Sequence, residues 1–273
     1  MECPAPPTDP PRRCVRRKTV LWTVALGLIA IATALWVDVP VAKWVYRARP
    51  LKAGDVSPTG WVEYPGNPPI NYKREVDAQG KVWVVDEAGN RRPAHPESDQ
   101  YALLKRILRA QGNYAYIIVL AVALAVFHPR RWRAGALVLL VGAVASFVPF
   151  VLKWSVGRTR PYRGVWSWQL EPFQRGWAGL LDNAELTFPS GDAALAFAVA
   201  AAMTWLSPRW GWAFYLTALV TAVERVLENA HHVSDVAVGA LIGVLSAWMV
   251  IAACERYVGW QRRPVTAEAS SAT

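Results

Sequence analysis

Cysteine is scarce in this chain: only Cys3, Cys14 and Cys254 occur among its 273 residues. None falls in the long polar stretch from Asp38 to Gln100, which excludes a disulfide framework of the kind that staples small secreted domains. The same shortage leaves a zinc site without thiolates. His231 and His232 are adjacent, a poor spacing for two ligands, so neither a metal nor a cofactor is expected. No internal repeat is present. A single basic stripe is also missing. The 30 Lys and Arg residues, set against 20 Asp and Glu, are divided among short segments, and nucleic acid is set aside as a partner.

What the chain has is apolar surface. Hydrophobic residues make up 53% of it and the mean hydropathy is +0.16, too apolar for an ordinary soluble domain of this length. Six runs approach the roughly 20 residues needed to cross a bilayer. They are Val20–Val37, Tyr114–Phe127 (lengthened at its start by Leu103–Ala110), Ala134–Leu152, Ala193–Leu206, Trp212–Val226 and Val236–Ala253. Many of the fifteen Trp residues, such as Trp22, Trp36, Trp132, Trp154, Trp210 and Trp260, stand at the edges of these runs, as an interfacial belt does. The fold class expected is all-α: a polytopic membrane bundle of six helices with a small polar exterior insertion.

Charge gives the orientation. Arg12, Arg13, Arg16, Arg17 and Lys18 precede the first run, and Arg130, Arg131 and Arg133 separate the second from the third. Arg209 lies between the fourth and fifth, while Arg256, Arg262 and Arg263 follow the sixth. With six spans all of these fall on one side, the cytoplasmic side by the positive-inside rule. The organisation read from the sequence is a basic N-terminus (1–18), a first span (19–38), an exterior insertion (39–100), a helical core (101–256) and a cytoplasmic tail (257–273). The first run has a second reading as a cleaved signal peptide, because Ala32-Thr33-Ala34 resembles a cleavage site. In the insertion, Ile70–Val76 and Lys81–Val85 flank Asp77-Ala78-Gln79-Gly80 as a β-hairpin would, and Asp86–Asn90 is a second turn signal. The insertion is either a substrate-selecting lid or a solvated decoration. Tyr101–Ala110 is amphipathic and suits the membrane interface.

This topology carries Lys153, Arg158, Arg160, Arg163, Ser190, Asp192, Arg225, His231, His232 and Asp235 to the outer mouth of the bundle. Polar groups there are costly unless paired or used. Lys153-x6-Arg160-Pro161 reads as snorkelling cations or as a cationic fork for a phosphoryl group. Phe188-Pro189-Ser190-Gly191-Asp192 reads as a helix cap, and the same N–H groups can bind an anion. Arg225-x5-His231-x3-Asp235 puts a histidine and a carboxylate on one helical face if the last helix begins near His231. Asp235 can then hold one ring nitrogen and expose the other as nucleophile; a structural or pH-sensing pair is the alternative.

In order, K-x6-RP, PSG and R-x5-H-x3-D resemble the type 2 phosphatidic acid phosphatase (PAP2) superfamily of membrane lipid phosphatases, over Lys153–Asp235. The resemblance implies that Lys153, Arg160, Ser190, Gly191 and Arg225 bind phosphate. It makes His231 the nucleophile that forms a phosphohistidine and Asp235 its orienting carboxylate, without a metal. Two positions depart from the pattern. Glu224 stands where the family usually has Ser, and Asp192 stands where it has the His thought to protonate the leaving group. Asp192 is then a replacement acid, or no acid is needed because a diphosphate releases a good leaving group, or the protein is catalytically silent. The function expected is a lipid phosphatase or diphosphatase, for instance on undecaprenyl diphosphate, with its site at the outer face of a bacterial-type inner membrane. A lipid phosphotransferase and a non-catalytic lipid-phosphate binder are the alternatives. The partners expected are a lipid phosphate and the bilayer.

Overall fold

The computed structural model describes residues 17–48, 62–64, 70–79, 82–86, 89, 91–93, 107–161, 170, 172–173 and 186–260. Among these are six α-helices: α1 (Arg17–Ala48), α2 (Tyr114–Phe127), α3 (Trp132–Val156), α4 (Gly191–Leu206), α5 (Gly211–Leu227) and α6 (Val233–Tyr257). Segments within α1, α3 and α6 are long and apolar enough to cross a membrane, and α2 and α4 are shorter apolar helices. Their outward faces stay greasy, with Val119, Val122, Phe127, Phe147, Leu219 and Met249 exposed. Helices apolar on both faces suit a lipid solvent, and the chain is an integral membrane protein.

The core is built on α4. Leu195, Ala198, Val199 and Ala202 from α4 pack with Leu137, Val138, Val141 and Ala145 of α3 and with Ala247, Val250 and Ile251 of α6. The alanine-rich α4 lets α6 approach at backbone distance. A methyl group on Gly239 would stand 2.3 Å from the Ser190 carbonyl oxygen, and one on Gly243 would stand 2.1 Å from that of Ala194. Small residues four apart are the usual device for close helix pairs in a membrane.

Four elements bring chemistry to one end of this bundle. The C-termini of α3 and α5 and the N-termini of α4 and α6 lie together there, and Ser190 N–H donates to the Asp235 carbonyl at 2.9 Å.

Three expectations are corrected. First, α1 does not stop at Asp38: it continues to Ala48, running through Ala32–Ala34 and across Pro40. Asp38 is therefore a buried helical residue, 1% exposed, and not the start of the insertion. Second, Leu103–Ala110 does not lengthen α2. Asn113 caps that helix by accepting from Ala115 N–H at 2.8 Å, and Ala110–Gly112 before it form a separate 3-10 turn. Residues 101–106 lie outside the described ones. Third, α6 begins at Val233, because Asp235 turns back to accept the His232 backbone N–H at 2.7 Å, as the third residue of a capping box does. His231 therefore precedes the helix, and helical i, i+4 spacing does not set its relation to Asp235.

The hairpin of the insertion is part of a four-stranded antiparallel meander, β1 (Val62–Tyr64), β2 (Ile70–Val76), β3 (Val82–Asp86) and β4 (Arg91–Pro93), in the order β1-β2-β3-β4. Asp77 makes the β2–β3 turn, accepting from Gln79 N–H at 3.0 Å and from the Trp83 indole at 2.9 Å.

Candidate active site

His231 is 3% exposed, in the loop between α5 and α6. Its Nδ1 lies 3.8 Å from the nearer Asp235 oxygen, too far for a hydrogen bond. The Thr187 hydroxyl stands between them. Thr187 Oγ1 is 3.0 Å from His231 Nδ1 and donates to Asp235 Oδ2 at 2.5 Å. A hydroxyl has one proton to give, and of its two oxygen acceptors the carboxylate at 2.5 Å is charged and much closer than the Ala230 carbonyl at 3.3 Å, so we assign the proton to the carboxylate. The ring must then donate from Nδ1, which leaves Nε2 with its lone pair. Thr187 is completely buried, and its N–H donates to the Arg158 carbonyl at 2.8 Å. Sequence reasoning passed over Thr187, which lies in none of the three motifs.

Asp235 has a second support. Arg158, fully buried, donates from Nη1 to Asp235 Oδ1 at 2.6 Å and to the Ser234 hydroxyl at 2.9 Å, and from Nη2 to Asp38 Oδ2 at 3.1 Å. Ser234 completes the knot, its backbone N–H donating to Asp38 Oδ1 at 2.8 Å and its hydroxyl to Asp38 Oδ2. Arg158 was expected at the mouth among the converging cations; its burial makes it a brace behind Asp235. Asp38 was not foreseen as part of this cluster. Arg163 lies outside the described residues.

Burial pushes the His231 ring down to about 4; Asp235 pulls it back up, while Lys153 and Arg160 push it further down. Those two cations are therefore close enough to act on the ring. Lys153 sits in the last turn of α3, ahead of the left-handed Gly157 that ends the helix. It is within electrostatic range of Arg160, Asp192, Asp235 and Arg109. Arg160 Nη1 reaches the Ala230 carbonyl at 3.5 Å, at the base of the His231 loop. Ser190 caps α4, its hydroxyl accepting from Ala193 N–H at 3.3 Å. Among the described residues nothing lies within 4 Å of the place where a Gly191 side chain would begin. An uncrowded helix N-terminus beside a histidine and two cations can receive a phosphoryl group.

Arg225 is engaged by carboxylates. It is 3% exposed and donates to Glu224 at 2.7 and 3.0 Å, to Glu228 at 2.6 Å and to Asp192 at 3.4 Å. Glu224, which replaces the Ser of the pattern, is thus the bidentate partner of its neighbour. Asp192 Oδ2 also accepts from Arg109 Nε at 3.1 Å and Nη2 at 3.0 Å. Arg109 belongs to the segment before α2, which packs on α5 through Gln111 to Thr217 at 2.6 Å and through Thr221 to the Leu108 carbonyl at 2.7 Å. Distance along the chain hid this contact: Arg109 and Asp192 are 83 positions apart.

Comparison with known proteins agrees with the motif reading. Residues 134–258 match the model of the PAP2 superfamily. Over 70 residues the chain is 34% identical to the bacitracin transport permease protein BcrC of Bacillus licheniformis. That match covers 26% of this chain and 33% of the relative, so the chain spans about a third of the relative's length. Among solved structures, it is similar to a transmembrane PAP2-type phosphatidylglycerolphosphate phosphatase from Bacillus subtilis. The identity is 17% and the TM-score 0.48, covering 87% of this chain and 96% of that one. It is also similar to Aquifex aeolicus LpxE, with 18% identity and a TM-score of 0.43, covering 56% of this chain and 87% of the other.

Proposed function

We propose, from the match of residues 134–258 to the PAP2 superfamily model, that this chain hydrolyses a lipid phosphate or prenyl diphosphate through a phosphohistidine on His231. The site is assigned to the outer, periplasmic or exterior, face, opposite the basic segments. The observation that carries the reading is the His231 ring itself. Its Nδ1 is turned to a hydroxyl already committed to Asp235, which leaves Nε2 as the nucleophilic nitrogen of a ring that feels the charges of Lys153 and Arg160.

The reaction runs in two displacements. Lys153, Arg160 and the N–H groups at the start of α4 hold the phosphoryl oxygens and stabilise charge as it develops there. Nε2 of His231 attacks phosphorus in line, the bond from phosphorus to the leaving oxygen breaks, and its electron pair departs with the lipid product. Asp235, acting through Thr187, keeps the Nδ1 proton in place and balances the positive ring of the phosphohistidine. Water then attacks phosphorus, the P–N bond breaks back onto the ring, and inorganic phosphate leaves. The proposed chemistry uses no metal.

A non-catalytic lipid-phosphate binder is the competing reading. It is favoured by Asp192, an acceptor for two guanidiniums where the family pattern has its acid histidine, and by the transport name of the Bacillus licheniformis relative. One assay separates the two: phosphate release by purified protein from phosphatidic acid and from undecaprenyl diphosphate, with His231→Ala as control. Release that disappears in His231→Ala supports the enzyme. No release from any lipid, with no phosphate captured on His231, sinks it.

A further inference from the structure

Position 192 breaks the family pattern, and its surroundings give the substitution a use. Asp192 Oδ2 is the meeting point of two guanidiniums, Arg109 at 3.0–3.1 Å and Arg225 at 3.4 Å. Its carboxylate is arranged to accept hydrogen bonds, not to deliver a proton to a departing oxygen. The two arginines differ in access. Arg225 is 3% exposed and held by Glu224 and Glu228 as well, whereas the Arg109 side chain is 48% exposed and still within electrostatic range of Lys153. The Arg109 backbone is held close by. A side chain on Gly112 would begin 2.8 Å from the Asp192 Cβ, so the turn carrying Arg109 lies directly against α4.

We propose that Asp192 is a positioning residue that holds Arg109 at the mouth, and that Arg109 binds the second phosphate of a lipid diphosphate. This rests on the phosphatase reading above and names its substrate class. Lys153, Arg160 and the α4 N-terminus take the terminal phosphoryl group, which His231 attacks. The bond between the terminal phosphorus and the bridging oxygen breaks. The electron pair stays on that oxygen, which leaves as part of a lipid monophosphate anion. The Arg109 guanidinium neutralises this anion with planar paired donors, and no proton is required. A lipid monophosphate would have to expel an alkoxide, whose departure calls for an acid that this arrangement lacks.

The test uses the full chain in detergent micelles, with farnesyl diphosphate and farnesyl monophosphate as probes and phosphate release as the readout. The wild-type protein is expected to prefer the diphosphate. Arg109→Ala should lower kcat/KM on the diphosphate about tenfold to a hundredfold, the scale of one lost hydrogen bond to a charged group, and leave the monophosphate rate nearly unchanged. Arg109→Lys should recover part of the loss, and Asp192→Asn should shift the ratio of the two rates in the same direction as Arg109→Ala. Equal losses on both substrates, or an unchanged diphosphate rate, overturn the proposal. So does an Asp192→Asn protein whose loss falls hardest on the monophosphate, since that is the behaviour of a proton donor. Failure of the phosphatase reading looks different: neither probe releases phosphate, or turnover survives His231→Ala.

Discussion

Asp38 and Arg158, 120 positions apart in the chain, form a fully buried ion pair at 3.1 Å. The pair ties α1 to the back of the site, because the same guanidinium holds Asp235 at 2.6 Å. Two carboxylates share one arginine, and each covers part of a charge that has no water to turn to. Removing Asp38 leaves Arg158 paired with Asp235 but takes an acceptor from Arg158 Nη2 and from the Ser234 N–H and hydroxyl, buried donors whose loss of a partner costs about 1–3 kcal/mol each. Asp38→Ala is therefore expected to lower thermal stability in detergent markedly and to weaken turnover, although Asp38 lies in none of the three motifs. An Asp38→Ala protein with wild-type melting behaviour would remove α1 from the support of the site.

The fold was legible because its signals are local. Apolar runs bounded by Arg and Trp mark the helices, and the ends of α3 to α6 differ from the sequence reading by a few residues that caps and first turns add. The cationic and histidine motifs were legible for the same reason, as short fixed spacings. Contacts between distant segments were not. Thr187 reads as an ordinary residue before Phe188-Pro189, and its role appears only when its hydroxyl falls between His231 and Asp235. Asp38 looked like the polar end of a span, since nothing local indicates that Arg158 and Ser234 will cover it. Nothing near Arg109 in the chain points to Asp192, 83 positions on.

Thr187 gives a sharp second test. If its hydroxyl relays Asp235 to the ring, Thr187→Val keeps the shape but takes away one of the three donors to Asp235, which keeps Arg158 and the His232 N–H, and removes the hydroxyl that faces His231 Nδ1. The expected loss in kcat is about tenfold to a hundredfold, the range for one hydrogen bond to a charged group. Thr187→Ser, which restores the hydroxyl, should return most of it. Equal rates in the valine and serine proteins would show that packing alone is at stake.

Gly239 tests how the two helix N-termini are held together. With the Ser190 carbonyl 2.3 Å from where its side chain would begin, any substitution must part α4 from α6. Overpacking of this kind costs about 1–3 kcal/mol. The parting would also stretch the Ser190 N–H to Asp235 carbonyl bond, 2.9 Å in this fold. Gly239→Ala should therefore lose both stability and activity, while Ala240→Gly, one residue along the same helix, should lose stability only. A Gly239→Ala enzyme with full turnover would mean that the site tolerates a shift between these helices.

The buried histidine predicts a pH dependence whose sign is fixed. In the folded protein the His231 ring is pushed down to about 4, chiefly by burial, whereas in an unfolded chain it titrates near 6.5. Between those values the unfolded state binds the extra proton, so stability rises with pH across that window. His231 contributes in full above about pH 6.5, and the contribution fades as pH falls toward 4, by up to about 3 kcal/mol. The same shift keeps the ring neutral, and so able to attack phosphorus, throughout the neutral range. Melting temperatures in detergent should fall more steeply from pH 7 to pH 4.5 for the wild-type protein than for His231→Gln, which has no proton to gain. Parallel slopes would mean that the ring is not held neutral by burial, and its standing as an uncharged nucleophile at neutral pH would then need another source.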